Sequence, residues 1–150
     1  MSSDASLQLH ATCIAWEGVG VLLRGPSGGG KSDLALRAIG AGAELVADDR
    51  VELLVRGGAL IARPPAALAG LLEVRGIGIV RLPYAPEARL GVVADLVPAR
   101  EIDRLPAAQA VEFLGFSMPR WALAAFEASA VDKLRLMVRA RQHGIIAHHE

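Results

Sequence analysis

The sequence feature that constrains this chain most is a glycine-rich loop between an apolar run and a helical pattern. An apolar run bounded by glycines at residues 19–23 predicts a buried strand, and the apolar spacing at 33–39 predicts a helix. The segment between them matches G-x-x-x-x-G-K-[ST] at every position, and it consists of Gly25, Pro26, Ser27, Gly28, Gly29, Gly30, Lys31 and Ser32. Strand, loop and helix in that order are the context that a phosphate-binding P-loop requires.

The residue types of the loop explain how it would bind a triphosphate. Glycines let successive backbone N–H groups point inward as an anion nest, and the positive end of the following helix adds to the field. Lys31 is expected to reach the β- and γ-phosphates, and the Ser32 hydroxyl is expected to ligate Mg²⁺. Arginine outnumbers lysine 14 to 2 in the chain, so a lysine at this position indicates a need for a compact cation. The alternative is a glycine-rich turn that contains a lysine by chance, and the intact context argues against it.

Composition and length bound the kind of protein. A chain of 150 residues with 53% hydrophobic and 21% charged residues predicts one folded domain over 1–150, with a core at 7–143 and a frayed tail at 144–150. A net charge of zero gives no reason to expect a nucleic acid or an acidic membrane as partner. The single cysteine, Cys13, can form neither an intramolecular disulfide nor a zinc site by itself. No signal-peptide pattern and no apolar run of about 18 residues is visible, so a cytoplasmic location is expected.

Hydrophobic periodicity outlines the rest of the chain. Alternation or short apolar runs predict strands at residues 7–16 (half-buried), 43–47, 51–56, 59–63 and 89–97. Gly57-Gly58 is a two-residue hairpin signal. Residues 66–72 are expected to form a short helix and 73–82 a loop that enters a strand, whereas 99–120 show no clear pattern. Residues 129–143 predict an amphipathic helix with Ser129 as its N-cap.

Two adjacent carboxylates, Asp48 and Asp49, directly follow the strand at 43–47. Neighbouring residues that leave a strand point to opposite sides. Asp48 is therefore expected to face a metal ion, and Asp49 to face an incoming hydroxyl as a general base. A kinase needs the second group, whereas a plain ATPase does not. The alternative is a solvated Asp-Asp turn.

Three further polar residues are weaker candidates. Glu73 and Arg75 would share one face of an extended segment, where they could serve a metal ion and a phosphate. A surface ion pair beside a glycine turn explains them about equally well. His10 lies on the polar face of the first strand, and it could be structural or could assist proton movement near the phosphates.

Taken together, these residues resemble the catalytic C-terminal domain of HPr kinase/phosphorylase, in particular the short alphaproteobacterial form without the N-terminal domain. The resemblance rests on LHATCIAWEGVGVLLRGPSGGGKSDLALRAIGAGAELVADDRVEL and on LLEVRGIGIVRLP, which cover roughly residues 7–82. It implies an α/β P-loop domain akin to phosphoenolpyruvate carboxykinase, with a mixed β-sheet and flanking helices.

The resemblance also implies a function and site roles. The expected activity is ATP- and Mg²⁺-dependent phosphorylation of a serine of the phosphocarrier HPr, and the same site can remove that phosphate with inorganic phosphate. Ser32 and Glu73 would hold Mg²⁺, in addition to the Asp48 carboxylate expected above, and His10 would be an active-site residue. Asp49 would accept the proton in phosphorylation and donate it in the reverse reaction. Arg75 belongs to the segment 72–81, which is implicated in both directions of the reaction.

One departure from the family pattern leaves alternatives open. The longer enzymes carry an active-site arginine in an R-P-G-R-N-like stretch, and this chain has none, so Arg120 in Met118-Pro119-Arg120 is the nearest candidate for a phosphate clamp. The hexamer of full-length members is not implied for this chain, and a homo-oligomer stays open. A nucleotide-binding sensor with little catalysis, or an ATPase or small-molecule kinase, remains as an alternative function. The Asp pair favours catalysis.

Overall fold

The computed structural model of the protein describes residues 5–147. Its strands are β1 (Ser6–Leu9), β2 (Thr12–Trp16), β3 (Val19–Arg24), β4 (Glu44–Ala47), β5 (Val51–Arg56), β6 (Ala59–Arg63), β7 (Leu71–Val74), β8 (Gly78–Arg81), β9 (Ala88–Leu96), β10 (Gln109–Phe113) and β11 (Phe116–Leu123). The two α-helices are α1 (Lys31–Gly40) and α2 (Ala130–His143).

Nine of these strands form one mixed sheet. Seven follow the order β1-β5-β6-β9-β3-β2-β4, while β11 pairs with β9 and β10 pairs with β11. β3 and β11 both run parallel to β9, whereas β2 is antiparallel to both β3 and β4. β7 and β8 form a separate antiparallel hairpin. The expected α/β fold with a mixed sheet and flanking helices is confirmed.

Both helices pack against the same face of the sheet. Leu34 of α1 and Leu134 of α2 are fully buried in one apolar cluster with sheet residues that include Ile14 and Val92. The opposite face carries a second cluster, in which Leu22 and Val93 pack with apolar residues of β5 and β6. Strand alternation sends Leu22 and Leu23 to these two different clusters. The central strands are therefore covered on both faces.

The strand predicted at 7–16 is two strands, so that prediction is wrong in its extent. β1 pairs with β5, whereas β2 lies between β3 and β4, and the chain bends at His10. All five residues of β2 are buried, because strands pair with it on both sides and apolar clusters cover both of its faces. Alternation in the sequence described β1 correctly, but it could not indicate that the chain changes partner strands at His10.

The segment 66–82 also differs from its prediction. Only Ala66–Leu68 is helical, as a single 3₁₀ turn, and Leu71–Val74 is a strand instead of the end of a helix. β8 folds back on β7 through a turn at residues 75–77, in which the Ile77 N–H donates to the Val74 carbonyl at 2.9 Å. This hairpin is the local reason that residues 73–75 reach the site described below.

The remaining local predictions agree with the structure in most respects. The strands at 43–47, 51–56, 59–63 and 89–97 and the helices at 33–39 and 129–143 are confirmed within two residues. Ser129 is the N-cap of α2, although its side chain makes no capping hydrogen bond. The unpatterned segment 99–120 contains β10 and most of β11. Residues 148–150 of the tail that was expected to fray lie outside the described residues.

The one cysteine is structural in its setting. Cys13 is fully buried on β2, between β3 and β4, and burial raises the pKa of its thiol to about 12. A thiol held neutral in this way is a poor nucleophile. Within residues 5–147, no helix is long and apolar enough to cross a membrane.

Candidate nucleotide and phosphoryl-transfer site

The topology of the sheet brings three loops to one edge. β4 is antiparallel to β2, and β2 is antiparallel to β3, so β3 and β4 run in the same direction and end at the same edge. The P-loop follows β3, and Asp48 follows β4. β2 begins at this edge, which places Thr12 between them. Ligand sites in open α/β sheets typically lie at such carboxyl ends of strands.

The P-loop requires glycine at two positions in particular. A Cβ atom at Gly29 would lie 2.8 Å from the Pro26 carbonyl oxygen, and Gly30 has a φ of +98° directly before the first residue of α1. Lys31 begins that helix and is buried. Its ammonium donates to the carbonyl oxygens of Gly25 at 2.7 Å and Pro26 at 3.1 Å. These two loop carbonyl groups thus offset the cost of burying the Lys31 ammonium at the entrance of the loop.

Asp48 is fixed by donors from three different elements. Its carboxylate accepts from the Thr12 hydroxyl at 2.8 Å and from the Ser32 hydroxyl at 2.8 and 3.0 Å. The backbone N–H of Glu73 adds a third donor at 3.2 Å. Because Asp48 is buried, these bonds offset the cost of removing its charge from water. They also hold the carboxylate beside the last residue of the P-loop.

The donor set around Ser32 fits a hard cation such as Mg²⁺. Ser32 and Asp48 are in direct contact, and Glu73 lines the same cavity. In the part of the chain that the structure describes, no group of three or more His, Cys, Asp or Glu side chains is placed to hold a metal ion. One hydroxyl and one or two carboxylates suit Mg²⁺, which usually takes its remaining ligands from phosphate oxygens and water.

Asp49 lines the same cavity as Asp48 but contacts a different partner and is open to solvent. Its backbone is left-handed, with a φ of +70°, and the Arg50 N–H donates to the Asp48 carbonyl at 2.8 Å. The Asp49 side chain is 60% exposed, and its Oδ1 lies 3.5 Å from Nδ1 of His10. The two neighbouring carboxylates therefore differ in setting, since one is buried and bound and the other is open to solvent.

These residues surround one cavity of about 390 Å³. Its wall contains the P-loop residues Ser27, Gly28, Gly30, Lys31 and Ser32, together with Asp48, Asp49, His10, Glu73 and Arg75. Gly25, Pro26 and Gly29 shape the loop without lining the cavity. The structure thus brings Asp49, His10, Lys31 and Arg75 together with the expected metal-binding residues Ser32, Asp48 and Glu73.

Arg120 lies elsewhere and does not line this cavity. Its Nε donates to Asp95 at 2.7 Å, and Asp95 also accepts two hydrogen bonds from Arg24 at 2.7 and 2.9 Å. Burial tends to raise the pKa of Asp95, but the hydrogen bonds and charges of the two guanidinium groups prevail and lower it. The position of Arg120 does not support the hypothesis that it replaces the missing phosphate clamp. Arg75 is the arginine that lines the cavity.

Four cavity residues, Thr12, Asp33, Leu36 and Phe126, were missed by the sequence reasoning. Thr12 had a signal, because it is a polar residue at the start of an otherwise apolar run. Leu36 and Phe126 had none, since an apolar residue on a helix or after a strand normally indicates a core position.

The fold and the site define a P-loop domain of the α/β class. A sequence profile described as HPr Serine kinase C-terminal domain matches residues 3–85, which is more than half of the chain. The chain belongs to this family, as the resemblance of its motifs predicted.

Individual relatives agree with this assignment. An HPr kinase/phosphorylase of Clostridium tetani is 45% identical over 76 residues, which are 51% of this chain and 25% of the relative. One from Clostridium beijerinckii is 45% identical over 73 residues, or 49% and 24% of the two chains. These matches span only about a quarter of the length of the curated relatives.

A solved structure extends the fold comparison to nearly the whole chain. The Hpr(Ser) kinase/phosphatase from Coxiella burnetii superimposes with a TM-score of 0.78 at 24% identity, covering 93% of this chain and 91% of the other. At this identity the comparison shows a shared fold.

Proposed function

We propose that the protein is an ATP- and Mg²⁺-dependent kinase that phosphorylates a serine of an HPr-like phosphocarrier protein. The observation that carries the proposal is the divergence of Asp48 and Asp49 at the mouth of the P-loop. A nucleotide sensor needs the first carboxylate only. An open second carboxylate, at a place where a hydroxyl can approach, suits phosphoryl transfer. Membership of the HPr kinase family supports the choice of HPr as acceptor.

In this proposal the P-loop binds and orients the ATP phosphates. Backbone N–H groups of the loop would hold the phosphate oxygens, and the Lys31 ammonium would exchange its loop carbonyls for the β- and γ-phosphates. Ser32, Asp48 and Glu73 would hold Mg²⁺, which neutralises charge on the phosphates. Thr12 keeps the Asp48 carboxylate oriented toward Ser32.

Asp49 acts as the general base in the transfer step. It accepts the proton of the serine hydroxyl while the serine oxygen bonds to the γ-phosphorus and the bond to the β,γ-bridging oxygen breaks, which releases ADP. His10, 3.5 Å from Asp49, is placed to orient this carboxylate. Arg75 on the cavity wall supplies positive charge toward the transferred phosphoryl group. In the reverse direction Asp49 returns the proton to serine, and inorganic phosphate accepts the phosphoryl group to give pyrophosphate.

The proposal also includes a cellular location, a view of possible partners and a second candidate function. The protein is expected to work in the cytoplasm, where ATP and phosphocarrier proteins are available. The net charge of zero gives no reason to expect a nucleic acid or an acidic membrane as a partner. The second candidate is a nucleotide-binding sensor with little catalysis. It is favoured by one observation, since Arg120 is engaged by Asp95 and gives the site no second arginine.

The proposal is tested by incubating the protein with γ-labelled ATP, Mg²⁺ and purified HPr. Label on a serine of HPr is the expected result, and HPr with that serine replaced by alanine should stay unlabelled. Lys31→Ala serves as the inactive control. Binding of ATP without transfer to HPr would favour the sensor, and transfer to water or to a small molecule would favour the ATPase or the small-molecule kinase.

A further inference from the structure

One wall of the cavity is apolar and exposed. Phe126 is 71% exposed, although aromatic residues make up only 4% of the chain. The other two phenylalanines, Phe113 and Phe116, pack against the second apolar cluster. Phe126 instead lines the cavity that contains the P-loop. An aromatic ring left open at a polar site requires an explanation beyond core packing.

The position of Phe126 is fixed by the fold. β11 runs parallel to β9, and β9 runs parallel to β3, so the loop after β11 leaves the sheet at the same edge as the P-loop. The contact is close, because a Cβ atom at Gly30 would lie 2.9 Å from Cζ of Phe126 and 3.0 Å from Cβ of Ala125. Glycine at position 30 thus leaves room for the ring against the loop.

A hydrogen bond from α1 holds the loop that carries Phe126. Arg37 donates to the carbonyl oxygen of Ala125, and its guanidinium is itself paired with Asp33 at 3.0 Å. The residue before Phe126 is therefore tied to the same helix that begins with Lys31.

A second apolar side chain lines the same cavity. Leu36 comes four residues after Ser32, so the two lie on the same face of α1 about one turn apart. Leu36 is 38% exposed and lines the cavity together with Phe126. The cavity therefore has a polar part at the P-loop and the aspartates, and an apolar part at Leu36 and Phe126.

We propose that Phe126, together with Leu36 on the same cavity wall, is the platform on which the base of the bound nucleotide stacks. This inference rests on the nucleotide site proposed above, and it adds the residue that recognises the base. The polar part of the cavity suits the charged phosphates, and the apolar part suits a flat aromatic base. Stacking on an aromatic side chain strengthens binding by about 10- to 100-fold, and it tolerates any base because every base has a π-face.

The test compares a ligand that has a base with one that has none. Mg²⁺-ATP and Mg²⁺-tripolyphosphate are titrated calorimetrically into the wild-type protein and into Phe126→Ala, Phe126→Trp and Leu105→Ala. Leu105 is the matched control, since it is 58% exposed and does not line the cavity. The affinity of Phe126→Ala for ATP is expected to fall about 10-fold, with tripolyphosphate affinity unchanged within about twofold. Phe126→Trp keeps the ATP affinity, and Leu105→Ala affects neither ligand.

Three results would overturn the inference. Equal losses of affinity for both ligands in Phe126→Ala would mean that Phe126 supports the P-loop. No loss of affinity for either ligand would mean that Phe126 does not contact the base. Unchanged ATP affinity with a raised KM for HPr would make Phe126 a docking residue for the protein substrate. In each case the proposed nucleotide site would stand, whereas a wild-type protein that binds neither ligand would overturn both proposals. Urea midpoints of the variants show whether each is folded.

Discussion

At the scale of single residues, backbone conformation separates the tasks of two adjacent carboxylates. Asp49 has a left-handed φ and contacts His10, whereas the buried Asp48 accepts hydrogen bonds from Thr12, Ser32 and the Glu73 backbone. The alternation of side chains along a strand predicted that the two carboxylates would face different partners. The structure achieves it differently, by a turn that begins where β4 ends.

Asp49→Asn is the substitution that isolates the role of the base. Asparagine has the same shape and tolerates a left-handed backbone, so the fold and the P-loop should stay intact. We expect kcat for phosphorylation of HPr to fall by about 10²- to 10⁴-fold, with ATP affinity nearly unchanged. Asp103→Asn, an exposed carboxylate outside the cavity, is the control. Equal losses of transfer and ATP affinity would show that Asp49 belongs to the nucleotide site instead.

At the scale of elements, a cluster of two arginines and one aspartate joins three parallel strands below the P-loop. Arg24 is the last residue of β3, Asp95 lies on β9, and Arg120 lies on β11. Their side chains are 33%, 18% and 25% exposed, so the cluster is better shielded from water than an ordinary surface pair. The cluster holds the end of β3, directly before the P-loop begins.

Asp95→Asn should destabilise the protein by about 1–3 kcal/mol at pH 7, because two charge-assisted contacts are lost. The pKa of Asp95 is lower in the folded protein than its ordinary value of 3.8, so its contribution is fully present above that value. The contribution is lost as the pH falls below 3.8 toward the lower folded pKa. The stability difference between wild type and variant should therefore shrink below pH 3.8.

Urea denaturation at several pH values measures this difference. Glu87→Gln is the control, since the pair that Glu87 forms with Arg56 is about half exposed and should contribute little. A difference between wild type and Asp95→Asn that stays constant from pH 7 to pH 3 would contradict the assignment of the Asp95 pKa.

At the scale of the whole molecule, a structural feature could be predicted from the sequence only where its signal lay in a short contiguous stretch of residues. The P-loop, the Asp pair and the hairpin at Gly57-Gly58 are short contiguous patterns, and each could be recognised without knowing the fold. The change of partner at His10 and the pairing of β11 with β9 depend on strands that are distant in sequence. Phe126 reaches the P-loop only because β11 lies parallel to β9. Such placements follow from the topology of the sheet, which a single sequence does not reveal.

The central claim is that the Lys31 loop binds the phosphates of ATP, and calorimetry with Mg²⁺-ATP tests it most directly. Wild-type protein should bind, and Lys31→Ala should weaken binding on the order of 100-fold because a charge-assisted contact is lost. Lys133→Ala is the matched control, since Lys133 is the only other lysine and its side chain is 46% exposed. It should bind as the wild type does. Absence of binding by the wild type, or binding that survives Lys31→Ala unchanged, would contradict the account.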